Sequence, residues 1–238
     1  MPRAWLIPLC LLAAVACTPP TLPVGASAAP DTSSWPAPDA ALSAASAAMS
    51  QLTSMREKFS SRTYRNDQMF LGADVERAYV APDERYEHFE GRGPTDVVTG
   101  ETVTLGTRFF KKVGADGPWQ AQPATDNFVW PGDSFMFTGV QATSWVGVDQ
   151  IDGRPARILL IRHEGDAQQR NAGWDFQTKL WIDPDTNYFL KRETRGTRQD
   201  PADPTTGKPL LQRYEATWTY MNHNASISIT EPPGAVSQ

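Results

Sequence analysis

Gly147–Glu193 opens G-V-D-Q-I-D-G-R-P-A-R-I-L-L-I-R and closes T-K-L-W-I-D-P-D-T-N-Y-F-L-K-R-E. Each part is a pair of β-like runs around a turn. Asp152-Gly153 is a hairpin signal, because Gly accepts the positive φ of a tight turn. Asp183-Pro184-Asp185-Thr186-Asn187 is a second turn, with Pro fixing φ and Asp or Asn bonding its own backbone. Two successive hairpins predict an antiparallel meander. If one face of that sheet is apolar and uncovered, it is a place to hold something apolar.

Working outward, the flanking segments continue the pattern. Asp74–Val80 and Arg85–Gly91 flank the turn Ala81-Pro82-Asp83-Glu84. Val75, Arg77 and Tyr79 share one face of the first arm. In the second, Tyr86, His88 and Glu90 share a face opposite Phe89. Thr102–Lys112 reads as one strand interrupted at Gly106, and a short run starts at Trp119. Leu210–Tyr220 reads as a strand with Ala216, Trp218 and Tyr220 on one face. Ile227 and Ile229 alternate with Ser226 and Ser228, which predicts a half-buried strand over Ala225–Thr230. Gly165–Gly173 and Gln199–Lys208 read as polar loops. The Phe128–Phe137 run is aromatic but broken by Pro131-Gly132.

The fold class that follows is mainly β with α. About ten or eleven antiparallel strands form a strongly curved half-barrel, because a meander of this length curls. A single helix is expected from Asp39, taken as its N-cap. Leu42, Ala45, Met49, Leu52, Met55 and Phe59 recur at three- and four-residue steps over about 20 residues, or about 30 Å. This helix covers part of the concave face and leaves a groove.

The first residues read as a targeting segment. Arg3 is followed by an apolar run from Ala4 to about Val15, too short to span a bilayer. Ala14-Val15-Ala16-Cys17 closes it, as a small-residue cleavage site and a lipobox whose third residue before the Cys is Ala rather than Leu. Both cysteines, Cys10 and Cys17, lie in this leader. Cleavage before Cys17 leaves one Cys at the mature N-terminus and no partner for a disulfide. Thioether lipidation of Cys17 gives that residue a purpose. Plain secretion with an incidental Cys is the alternative. The expected organisation is a signal peptide over 1–16, a lipidated Cys with a Pro/Ala/Ser-rich tether over 17–38, and a lipid-binding domain over 39–238. The protein is then exported and held on the outer side of a cell membrane.

Composition narrows the function classes. With 40% hydrophobic and 21% charged residues, the chain is globular rather than disordered. A net charge of −5 with no basic stripe argues against nucleic acid. His88, His163 and His223 fall on separate elements and make no metal-ligand pair. Asp183, Asp185 and Asn187 resemble the start of a calcium loop, but Tyr188 stands where Gly is needed and Thr194 where the bidentate Glu is needed. No G-x-S-x-G elbow lies in the domain, and no P-loop or G-x-G-x-x-G occurs. The reading is of a non-enzyme without cofactor. Asn224-Ala225-Ser226 is a glycosylation sequon. The eight Trp are the most unusual feature of composition; they serve either sheet packing or an aromatic-lined groove.

The whole pattern resembles the LolA/LolB-like lipoprotein-carrier superfamily, with a closer likeness to LppX/LprG-type lipoproteins. Carrying the resemblance are Leu105–Phe110 followed by Trp119, the Val148–Ala156 hairpin, Leu180–Glu193 and the closing Tyr214–Pro233 segment. The resemblance implies a half-barrel whose apolar cavity binds acyl chains, and it carries over no catalytic residues. It places a lid within Gln122–Phe137. Candidate wall residues, apolar on alternating strands, are Phe109, Leu159, Ile161, Leu180 and Trp218. The expected partners are a lipid or acyl chain and the membrane that holds Cys17. Two rivals remain: an RseB-type envelope sensor that binds a membrane protein, and a secreted hydrolase, disfavoured by the missing nucleophile and metal motifs.

Overall fold

The computed structural model describes residues 31–124, 135, 137–202, 207 and 209–237. Cys17 and the leader lie outside them, as does most of the Gln122–Phe137 segment. One helix, α1 (Pro38–Ser50), precedes β1 (Ser54–Arg65), β2 (Gln68–Val80), β3 (Glu84–Arg92), β4 (Val97–Leu105), β5 (Arg108–Val113) and β6 (Gln120–Pro123). After the 125–134 segment come β7 (Val140–Ile151), β8 (Arg154–His163), the five-residue α2 (Ala167–Asn171), β9 (Asp175–Ile182), β10 (Phe189–Ala202), β11 (Pro209–Met221) and β12 (Val236–Ser237).

All twelve strands form one sheet, in the order β12-β6-β5-β4-β3-β2-β1-β11-β10-β9-β8-β7. Every pair is antiparallel except the two-residue β12 beside β6. Two meanders therefore meet where β1 pairs with β11 along Arg56–Arg65. The sheet does not close, because β7 and β12 stand at opposite ends. The outer strand β7 carries bulges at Val140/Ala142 and Trp145/Gly147, the kind of irregularity that bends an edge away from pairing.

The opening stretch folds as its turns dictate. Asp152 and Gly153 take φ of 51° and 77° between β7 and β8. Asp183 Oδ1 accepts from the amides of Asp185 and Thr186, at 2.9 and 3.1 Å. Its other oxygen bonds Arg154. Burial pushes the Asp183 carboxyl up, but those amides and Arg154 hold it below its ordinary value. Trp181 and Lys191 face each other across β9 and β10, and Phe189 pairs with Ile182.

The helix is shorter than the sequence predicts. It spans 13 residues with Ala37 as N-cap and Pro38 at its first turn. Asp39 is inside that turn, where its carboxylate accepts from Thr143 Oγ1 at 2.5 Å instead of capping. Met55 and Phe59 belong to β1. A spacing of four puts two residues on one face of a helix and also on one face of a strand, so the stripe continued unbroken into a different period. Arg56 and Lys58 lie on the opposite face of β1, and Lys58 pairs with Glu76.

Four other segments differ. Thr102–Lys112 is a hairpin, not one strand, because Gly106 turns the chain at a φ of 60°. Gly165–Gly173 holds α2, started by a reciprocal capping pair of Asp166 and Gln169. The Gln199–Lys208 loop is shorter, since β10 runs on to Ala202. Ala225–Thr230 keeps its alternation of half-buried and exposed residues but joins no ladder. It is an extended strap over the convex face, where Ile229 and Pro232 lie near Ala78, Val103 and Trp119. Asn224, with a φ of 55°, starts the strap. Its Oδ1 accepts from Thr53 N and Oγ1, and its amide donates to the Tyr188 hydroxyl.

The main core lies between α1 and one end of the concave face. Ala45, Met49 and Leu52 pack with Met55, Tyr79, Leu159, Leu180, Phe189 and Tyr220. A smaller cluster of Ala156, Trp181 and Leu190 sits on the other face. Trp35 also joins the body: its ring meets Trp145 edge-on at 5.2 Å, beneath Arg157.

Candidate functional site

Cross-strand partners share a face, so the register fixes what the concave surface presents. One row runs Phe89, Val75, Phe59, Trp218, Arg192 and Leu180 from β3 to β9. The next row, two residues further from α1, runs Gly91, Ala73, Ser61, Ala216, Thr194 and Thr178. A third runs Leu71, Thr63, Tyr214, Gly196, Phe176 and His163. The middle row has only small side chains. Large rings stand on both sides of it. Six adjacent strands span about 24 Å, and the row is part-exposed on three of them, from Gly91 to Ser61.

The trough differs between its two halves. Gly91, Ala73 and Ser61 are half-buried; Ala216, Thr194 and Thr178 are buried. In the third row Leu71 is exposed, beside Met69 and Phe70 near the tip of the β1–β2 hairpin. The rings are seated on glycines. A Cβ at Gly100 would lie 2.6 Å from Phe89 Cζ, and one at Gly196 would run into the Phe176 ring. Trp174 stacks on Phe176 at 5.5 Å, and Tyr214 meets both edge-on.

The concave face is not uniformly apolar. Between the Phe59 row and the α1 core runs an ion triad. Arg77 Nη1 donates to Glu57 Oε1 at 2.6 Å and its Nε to Glu87 Oε2 at 2.7 Å. Glu57 is 5% exposed, and burial pushes its carboxyl up against the pull of Arg77. On the other arm, His163 Nε2 lies 3.0 Å from Thr178 Oγ1, which lies 2.8 Å from Thr194 Oγ1. Burial, with Arg192 nearby, pushes His163 down to about 4, so it is neutral at pH 7.

The wall residues expected from sequence separate into two groups. Leu159, Ile161 and Leu180 are fully buried in the α1 core, and Trp218 packs against them part-exposed. Phe109 stands apart on β5, paired with Thr104 and Gln122. The three leucine and isoleucine positions thus support the groove from beneath α1, while Trp218 reaches its rim. Sequence reasoning missed the small-residue row, Arg192 and the Glu57–Arg77–Glu87 triad. The facing pattern was available for Arg77, which alternates with Val75 and Tyr79; the partners come only from register.

No metal-binding group of His, Cys, Asp and Glu is found among the described residues. Among the same residues, no helix is long and apolar enough to cross a membrane.

Comparison with solved structures identifies the architecture. LprF from Mycobacterium bovis aligns over 83% of this chain and 98% of its own, with a TM-score of 0.54 at 15% identity. The chain shares the fold of LprF. The lipoprotein LppX from Mycobacterium tuberculosis covers 82% of this chain and 100% of its own, with a TM-score of 0.47 at 14% identity. No family model matches the chain, and no curated protein does. The curved, mostly antiparallel half-barrel read from strands and turns in the sequence is the architecture the chain adopts.

Proposed function

We propose that this protein is an exported lipoprotein that binds a lipid or acyl chain in the concave trough, for lipid or lipoprotein carriage. The observation that carries this reading is the in-register row from Gly91 to Thr178, small on its floor and flanked by rings. A chain lying over its part-exposed Gly91–Ser61 end would remove apolar area from water, at about 25 cal/mol per Å². The half-barrel fold supports it, because α1 packs on one end of the concave face and leaves the Phe59–Trp218 row at its edge. No nucleophile–base pair or metal is needed for such a role, and burial of the chain is the whole mechanism.

The anchor is Cys17, with a tether that ends before Trp35, where the chain joins the body, and an extracytoplasmic location. Detergent-phase partitioning and the mass of the mature N-terminus test it: Cys17→Ser should release the protein into the aqueous phase. Ligand binding is tested by quenching of tryptophan fluorescence with a brominated acyl chain. Trp218 should be quenched, and Trp218→Phe should remove most of that signal. Absence of saturable quenching would count against the trough. A sensor role for the same fold makes a different demand, a membrane-protein partner recovered with the ligand-free form.

A further inference from the structure

The concave face holds several cations, and they differ in how their charge is met. Arg77 is held by Glu57 and Glu87. Arg198 pairs with Asp200 at 2.7 Å. Arg192 has no carboxylate within salt-bridge distance among the described residues, yet it is only part-exposed. Its guanidinium carbon lies 4.4 Å from the Trp218 ring centroid and 4.7 Å from that of Phe137. Its Nε donates to Thr194 Oγ1 at 3.2 Å. Glu57, whose charge Arg192 helps to stabilise, is already bonded to Arg77 at 2.6 Å.

The position of this cation is the informative part. Arg192 stands in the ring-bearing row, between Trp218 and Leu180, and its Nε bond leads directly to the floor of the trough. Rings on two sides fix the plane of the guanidinium. One bond from Nε fixes its rotation. The guanidinium also donates to the buried Tyr220 hydroxyl; its remaining N–H groups are the donors that a carboxylate or phosphate can accept from. A cation taken out of water without an anion is costly. Aromatic faces offset only part of that cost.

We infer that Arg192 is a headgroup anchor: the trough takes an anionic amphiphile, with its carboxylate or phosphate on the Arg192 fork and its chain along the Ala216–Gly91 floor. The inference rests on the proposed lipid-binding function and adds the charge of the cargo and its orientation. Arg192 does not react with the ligand. It selects an oxyanion over a neutral head and sets which way the chain runs. Lysine cannot reproduce it, since an ammonium offers a point charge without the fork or the stacking plane.

The test uses the full chain and three probes of equal chain length: a long-chain fatty acid, its methyl ester and the corresponding alcohol. Affinities are read by tryptophan fluorescence above pH 7, with the fatty acid below its micelle concentration. The fatty acid should bind at least about tenfold tighter than the ester or alcohol. Arg192→Met should abolish that preference, so that acid and ester bind the variant equally. Arg192→Lys should retain only part of it. Thermal unfolding of each variant separates misfolding from lost recognition. The comparison within the wild-type chain needs no variant at all.

Equal binding of acid and ester by the wild-type chain overturns the anchor and leaves lipid binding intact. Failure of all three probes to bind overturns both the anchor and the proposed function. Competition separates a headgroup from a free anion. Acetate and inorganic phosphate should not displace the fatty acid at concentrations where the acid saturates. Displacement by inorganic phosphate at such concentrations would mark a free-anion site and overturn the assignment to an amphiphile.

Discussion

His163 makes stability depend on pH in a predictable direction. Its ring stacks on Phe176 at 5.4 Å and meets Phe137 edge-on at 5.5 Å. Its Nε2 is engaged by Thr178, and its Nδ1 is buried with no partner among the described residues. Burial first, then the Arg192 charge, holds the folded-state pKa at about 4 against 6.5 for the free side chain. Between those values the unfolded chain binds the proton and the folded chain does not. The associated stability is therefore complete above pH 6.5 and is lost as pH falls toward 4. A gap of that size corresponds to about 3 kcal/mol across the window. Urea unfolding at pH 7.5 and pH 4.5 measures it. His163→Gln keeps a polar group near Thr178 but cannot titrate, so it should lose about 3 kcal/mol less than wild type between the two pH values. His223, also pushed to about 4 by burial, contributes in the same sense in both proteins and cancels in the comparison. Equal pH slopes in wild type and His163→Gln would refute the reasoning.

Three further perturbations test the architecture. Met49→Ala, at a fully buried position between α1 and the sheet, should cost about 2–5 kcal/mol in urea unfolding, through a cavity that the sheet cannot close. Gly100→Ala places a Cβ 2.6 Å from Phe89 Cζ and 2.9 Å from the Lys112 carbonyl oxygen; it should lose about 1–3 kcal/mol, because backbone blocks one side. Arg77→Met removes the shared cation from Glu57 and Glu87 and should destabilise by about 3–5 kcal/mol at pH 7. Much of that loss should return in Glu57→Gln/Arg77→Met, since the buried carboxylate is then gone.

Turn chemistry made the sheet legible. Asp152-Gly153, Asp183–Asn187 and Asp83-bearing loops are local signals, and each sits at the hairpin it predicts. Alternation also gave the faces of β2, β3 and β11, including the shared face of Ala216, Trp218 and Tyr220, which the fold turns inward. What failed was the boundary between two periods. Met55 and Phe59 fit a helix by spacing, but the chain after Ser50 finds a better partner in β2 and β11 than in another helical turn. Ala225–Thr230 alternates without pairing, because its partner is a sheet face and not a sheet edge. Thr102–Lys112 hid a reversal that one Gly performs.

The groove was less legible than the sheet. Leu159, Ile161 and Leu180 are the apolar residues an alternation argument selects, and that same apolarity draws them under α1. The trough floor is made of Gly, Ala, Ser and Thr, which draw no notice singly in a sequence. Their meaning depends on registers that join β3 to β9 through β1 and β11, residues more than a hundred positions apart. Arg192 was invisible for the same reason: only its row shows that it faces inward between Trp218 and Leu180.

Native mass spectrometry of the full chain, purified without detergent and offered a long-chain acyl ligand, tests the central claim most directly. The account predicts a discrete mass addition at low stoichiometry, which is lost when Ala73→Trp, at a half-buried position, fills the trough floor while the fold is retained. A wild-type protein that stays at its apo mass under those conditions, with its fold intact, would contradict it.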